Sequence, residues 1–153
     1  MHQLLGKLIE ILSREADRYT GLLELLREER GHIASNDVDR LNEVLKHQNT
    51  VVLELKALEE ARKALIRKLA ELLGLPFEGV TLRKLIEMVE EPYATMLAGY
   101  GDQIDELVAE IKRLNDDNSY LIDKSIEYIT GALQIFVSAG AIPSQGNLIC
   151  DVA

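Results

Sequence analysis

One short segment has the residue spacing of a metal site. The stretch from Glu29 to His32 fits the E-x-x-H pattern with which helical di-iron proteins hold their metals. Such a site needs two of these motifs and two further inward-facing glutamates, supplied by four helices. The other histidines, His2 and His47, have no glutamate three residues before them. We therefore expect a solvated Glu–His pair near a helix end, with no metal and no other cofactor.

Two pairs of neighbouring carboxylates are candidates for acid–base chemistry, namely Glu59-Glu60 and Asp116-Asp117. Adjacent residues on a helix point about 100° apart, so neither pair converges on one substrate. The chain also has no glycine-rich phosphate loop and no Ser/His/Asp arrangement, and its one cysteine is Cys150. The sequence therefore predicts a protein that is not an enzyme.

The charges are unevenly distributed along the chain. Residues 1–80 carry 12 basic and 14 acidic side chains, whereas residues 81–153 carry 5 basic and 12 acidic ones, which places −7 of the net −9 in the second half. An acidic surface repels phosphate, so nucleic acid and anionic membranes are excluded as expected partners. The first residues lack a secretory leader, and a lone cysteine forms no internal disulfide, so we expect the cytoplasm.

Apolar residues recur at spacings of three and four, which predicts helices over about 4–33, 37–73 and 93–137, with a short helix over about 82–90. Ser35 or Asn36 is expected to cap the second helix and Thr81 the short one, while Gly74 ends the second. The stripe of the first helix is interrupted only by Glu15 and Glu29.

Helices of 30 to 37 residues are roughly 45–55 Å long, which exceeds the diameter of a compact globule of this size. We therefore predict an all-α fold, an elongated antiparallel bundle of three long helices and one short helix that resembles a coiled coil. Residues 1–140 are expected to form a single domain, and residues 141–153 a flexible tail. The stripe of the second helix is predicted to run from Val38 through Leu45, Leu55 and Leu69 to Leu72.

The end of the last long helix has no charges. The 23 residues from Tyr128 to Cys150 include none, in a chain that is otherwise densely charged. Three interpretations are a membrane anchor, a helix end buried between the other helices, and an apolar end that is exposed until a partner covers it. The anchor is disfavoured because polar residues such as Gln134 and Pro143 interrupt the apolar run.

A count of apolar faces favours the exposed end. A stripe through Tyr128, Ala132 and Ile135 is expected to face the other helices. Other apolar side chains lie off that stripe, so this end of the helix is apolar on more than one side, and large exposed apolar patches mark binding sites. These side chains are Ile126, Ile129, Leu133, Phe136 and Val137.

The most specific string in the chain lies in the last helix, from Ile111 to Ile122. It reads IKRLNDDNSYLI and resembles the L-N-x-x-N-x-x-L-[IL] signature of the FlgN-type flagellar export chaperones. Segments 23–30, 58–74 and 81–86 resemble the earlier helices of that family, so the resemblance covers about residues 4–137.

The resemblance implies a cytoplasmic type III secretion chaperone. Such chaperones bind the C-terminal helical segments of hook-associated (hook–filament junction) proteins, prevent their premature assembly and deliver them to the flagellar export apparatus. The partner-binding residues that it implies are Asn115, Asn118, Leu121, Ile122, Ile126, Ile129, Leu133 and Phe136. Asn118 has a second interpretation, because an Asn on an apolar stripe often fixes the register of a coiled coil.

The tail departs from the family pattern. Residues 138–153 contain no tyrosine, unlike the Tyr-Gly-containing tail implicated in docking to the export gate. No gate-binding residue is therefore assigned, and gate docking and a homodimer both stay open. The alternative function is a structural coiled-coil adaptor or a self-assembling helical dimer with no role in secretion.

Overall fold

A computed structural model describes residues 1–76 and 78–140, and these residues form four helices with no strand between them. The helices are α1 (His2–Ala34), α2 (Val38–Leu72), α3 (Leu82–Ile86) and α4 (Tyr93–Ser138). The predicted all-α fold of three long helices and one short helix is confirmed.

The chain divides into two compact units, Met1–Asn115 and Asp116–Ala153, and the division falls within α4. A single domain over 1–140 stays a prediction. The predicted tail at 141–153 lies outside the described residues.

The ends of the helices follow local chemistry. The carboxylate of Asp37 caps α2 by accepting a hydrogen bond from the backbone N–H of Arg40 at 3.2 Å. The prediction of Ser35 or Asn36 as this cap was wrong, because α1 continues to Ala34 and these two residues form its end. Thr81 caps α3 as predicted, through a hydrogen bond to its hydroxyl oxygen. Gly74 follows α2 with a φ of 67°, the left-handed conformation that suits glycine after a helix.

Two polar contacts show that α1 and α2 form an antiparallel hairpin. Glu15 pairs with Arg62, and Glu29 accepts a hydrogen bond from Gln48. The position of the partner on α2 falls as the position on α1 rises, so the two helices run in opposite directions. Each contact joins a polar interruption of one apolar stripe to a polar interruption of the other.

The core of the first unit places the beginning of α4 alongside α1. A first cluster joins the early turns of α1 to the late turns of α2, to α3 and to the start of α4, and a second joins the middle of α1 to α4 about four turns later. Because both clusters advance together along α1 and α4, these helices run in the same direction. The buried residues are Leu5, Leu8, Leu12, Ile66, Leu69, Leu85 and Leu97 in the first cluster, and Leu23, Leu26 and Leu114 in the second.

The predicted stripe of α2 holds in the middle of the helix and fails at its ends. Leu55 and Leu69 are buried, whereas Val38 and Leu72 are exposed, and Val44 is buried although it lies outside the stripe. A stripe that repeats every seven residues assumes 3.5 residues per turn, and a straight helix with 3.6 drifts by about 20° per heptad. The drift turns the ends of the predicted stripe away from the core.

Candidate partner-binding surface

The eight predicted partner-binding residues all lie on α4, but they differ in exposure. Asn118 is only 1% exposed, and Leu121 and Ile122 are partly buried. Asn115 is exposed and ends the first unit. The other four belong to the open end of the helix, so the structure separates the predicted set into a covered group and an open group.

The open group forms what we call the terminal strip, made of Ile126, Ile129, Leu133 and Phe136. Spacings of three, four and three place these side chains one above the other along the helix. Ile126, Ile129 and Phe136 are 47%, 55% and 52% exposed, and Leu133 is partly buried. An apolar row about three turns long is thus available at the surface.

The expected stripe beside the terminal strip is not buried. Tyr128 and Ile135 were expected to face the other helices, yet they are 79% and 70% exposed. Val137 is also exposed. The end of α4 is therefore open on more than one side, and the interpretation of a fully buried helix end was wrong.

Charged side chains lie at only one end of the terminal strip. Asp123 and Glu127 border its first turn, and no charged residue follows Glu127 within the helix. The ammonium group of Lys124 pairs with Glu127 at 2.8 Å and lies 5.6 Å from the centre of the Tyr120 ring. The hydrogen bond to Glu127 raises the pKa of Lys124, and the charge of Glu127 adds to this effect.

The helix ends beyond the strip without a cationic side chain. The N–H of Ala139 donates to the carbonyl of Ile135 at 2.9 Å, and the N–H of Gly140 donates to the carbonyl of Val137 at 3.0 Å. Gly140 has a φ of 73°, which breaks the helical path. The last turn contains no basic residue, so the partial negative charge of the carbonyl end faces no positive side chain of that turn.

A second polar site lies within the first unit, where a cavity of 570 Å³ is lined by residues from all four helices. Glu15 lines it and is 1% exposed, with the Nε of Arg62 at 3.1 Å from its Oε1 and 3.0 Å from its Oε2. Burial raises the pKa of Glu15, although the charge and hydrogen bond of Arg62 oppose the rise. A carboxylate held by a guanidinium offers no nucleophile, so this arrangement serves packing between α1 and α2.

Glu29 was expected to be solvated, and this expectation was wrong. It is 5% exposed, and the side-chain amide of Gln48 donates to its Oε2 at 2.7 Å. The sequence signal was present, because Glu15 and Glu29 are 14 residues apart on α1, as are Gln48 and Arg62 on α2. Within residues 1–76 and 78–140, no three His, Cys, Asp or Glu side chains gather closely enough to hold a metal ion.

Comparison with known families agrees with these features. The family model described as "FlgN protein" matches residues 1–145. The chain belongs to the FlgN family. No curated protein matches the sequence, and no solved structure matches it.

Membership of the FlgN family supports a general role as a flagellar export chaperone that binds flagellar proteins. FlgN is a family of chaperones and not of enzymes. In the part of the chain that the structure describes, no helix is both long enough and apolar enough to span a bilayer.

Proposed function

We propose that this FlgN protein is a cytoplasmic chaperone for hook-associated proteins, the subunits of the hook–filament junction. It binds their C-terminal helical segments through the terminal strip of α4. Binding keeps the subunits from assembling before export, and the chaperone then delivers them to the flagellar type III export apparatus.

The observation that carries this proposal is the exposed apolar end of α4. Ile129 and Phe136 are each more than half exposed, and their neighbours Tyr128 and Ile135 are more exposed still. Contiguous apolar surface of this kind marks protein-binding sites in soluble proteins. An amphipathic helix lays its own apolar face against such a row, with anchors spaced three and four residues apart.

Burial of the strip supplies the favourable free energy. Removing apolar surface from water contributes about 25 cal/mol per Å², before the cost of association and of ordering the bound segment. Phe136 is the largest side chain of the strip, and aromatic anchors tend to dominate interfaces of this kind. We expect it to contribute more than any other residue of the strip.

The remaining predicted residues have supporting roles. Asn115, Leu121 and Ile122 flank the strip, and their partial or full exposure leaves them available to a longer bound helix. Asn118 is almost completely buried, which favours its second interpretation as a residue that fixes the register of helix packing.

The test is the double variant Leu133→Asp with Phe136→Asp. We expect it to lose binding of a hook-associated C-terminal fragment in calorimetric titration, because two carboxylates would have to be buried against the bound helix. Its helix content and melting temperature should change little, since Phe136 is already half exposed. Circular dichroism melts measure both.

The matched control is Gln134→Asp with Ser138→Asp. Both residues are exposed, and both lie on the opposite side of α4 from the strip. This variant adds the same two charges to the same helix end, so it should bind the fragment as the wild type does. A strip variant that folds and still binds would refute the proposal. If the fragment never binds and light scattering shows a dimer that the strip variant abolishes, the alternative self-assembling dimer is correct.

A further inference from the structure

We infer that the helix captured by the terminal strip lies antiparallel to α4, with Lys or Arg in its last turns and no charge in its first turns. This inference rests on the proposed function and specifies the chemistry and the direction of the partner.

The first argument is the charge gradient along the second unit. Residues 116–127 contain four carboxylates and one lysine, whereas residues 128–140 contain no charged side chain. Asp123 lies three residues before Ile126, on the flank of the strip, and Glu127 follows Ile126 directly. Both carboxylates are exposed. A bound helix therefore meets negative charge at the first turn of the strip only.

The other end of the strip favours uncharged residues. The positions on the same flank beyond Ile126 are Thr130, Gln134 and Val137, none of which can neutralise a charge. A cationic side chain placed there would lose water without gaining an ionic partner from α4. The basic residues of the partner are thus expected beside Asp123 and Glu127, and its uncharged residues beside Phe136.

The second argument is the direction of the helix dipoles. The carbonyl end of α4 has no basic residue in its last turn, so it retains partial negative charge. An antiparallel partner begins at this end and places its own partial positive charge there. Its last turns then lie beside Asp123 and Glu127, and the last turn is also where Lys and Arg stabilise a helix. A parallel partner would bring two carbonyl ends together and would need its basic residues in its first turn, where they are unfavourable.

The experiment compares two amphipathic peptides of identical composition. Both have the same apolar face, and both are stapled on the polar face so that their helix content is equal. One carries three lysines in its last turn and the other carries them in its first turn. Exposed ion pairs change affinity by about 1.5- to 5-fold each, so two carboxylates should favour the first peptide by about 3- to 10-fold at low salt. The preference should shrink in high salt because exposed charges are screened.

A charge-reversed chaperone provides the control. In Asp123→Lys with Glu127→Lys, the preference for the first peptide should disappear or reverse, while circular dichroism shows unchanged helix content. Nitroxide labels report the direction itself. A label on the N-terminus of the first peptide should broaden the methyl signals of Ile135 and Val137, and a label on its C-terminus should broaden those of Ile126.

Each outcome decides between the inference and the proposed function. Equal affinities, preference for the second peptide or the opposite broadening pattern would overturn the inference and leave the proposed function standing. Binding of the hook-associated fragment without binding of either peptide would also overturn it. If neither the peptides nor the fragment binds, the proposed function fails as well.

Discussion

Replacement of Arg62 by methionine tests how the α1–α2 hairpin tolerates a buried charge. The change removes the guanidinium whose Nε lies 3.0 Å from Oε2 of Glu15, and it leaves that carboxylate 1% exposed. At an effective dielectric constant of about 20, two charges at this distance attract by about 5–6 kcal/mol, much of which desolvation offsets. Removing one partner of a buried pair costs about 3–5 kcal/mol. Because the Arg62 side chain is 27% exposed, we expect the low end, about 3 kcal/mol at neutral pH.

The loss should depend on pH in a defined direction. Burial already raises the pKa of Glu15 in the wild type, and removal of the opposing Arg62 raises it further. A carboxyl group whose pKa is higher in the folded state favours folding when protonated. Its contribution is fully present below the ordinary pKa of about 4.3 and is lost as the pH rises through the raised value. The deficit of Arg62→Met relative to the wild type should therefore shrink as the pH falls from 7.5 to 5.

Urea unfolding followed by circular dichroism at both pH values measures these differences. Glu15→Gln should restore much of the loss in the double variant, because a neutral amide tolerates burial better than an unpaired carboxylate. The control is Arg18→Met, whose partner Glu54 is exposed and whose loss should stay below about 1 kcal/mol. An equal deficit at pH 5 and pH 7.5, or no rescue by Glu15→Gln, would refute the reasoning.

Three further predictions concern the hairpin, and urea unfolding monitored by circular dichroism checks each of them. Leu69→Ala should cost about 2–5 kcal/mol because Leu69 is fully buried, whereas Leu53→Ala should cost little because Leu53 is 65% exposed; equal losses would contradict this assignment. Gly74→Ala should destabilise by about 1 kcal/mol because of the positive φ, whereas Gly31→Ala, within α1 and with open space at its Cβ, should stabilise by about 0.5–1 kcal/mol. Asp37→Ala should cost about 1 kcal/mol through loss of the α2 cap, and an unchanged midpoint would count against that cap.

The helices were predictable because each one is specified by residues close together in the sequence. The predicted boundaries lie within about two residues of the structure for α1, α2 and the start of α4, and Gly74 and Thr81 act where their local chemistry places them. The cap of α2 was misplaced by one or two residues, because Ser35, Asn36 and Asp37 are all good capping residues and the choice depends on where α1 ends.

Burial was harder to predict because it depends on residues far away in the sequence. Tyr128 and Ile135 continue an apolar stripe, and nothing in their own spacing shows that this end of the stripe is exposed. Glu15 and Arg62 are 47 residues apart, so their pairing follows only once the two helices are aligned. The placement of the candidate site on α4 was predictable from the signature and the charge-free run. Its division into covered and open residues required the structure.

The two polar contacts of the hairpin also constrain how the lengths of α1 and α2 can change in evolution. Equal stretches of 14 residues separate Glu15 from Glu29 and Gln48 from Arg62. An insertion into one stretch alone would carry a glutamate past its partner and leave a buried carboxylate without its donor. Insertions and deletions here should therefore occur in matched pairs, one in each helix. Each should comprise about seven residues, since two full turns return the side chains to the same face.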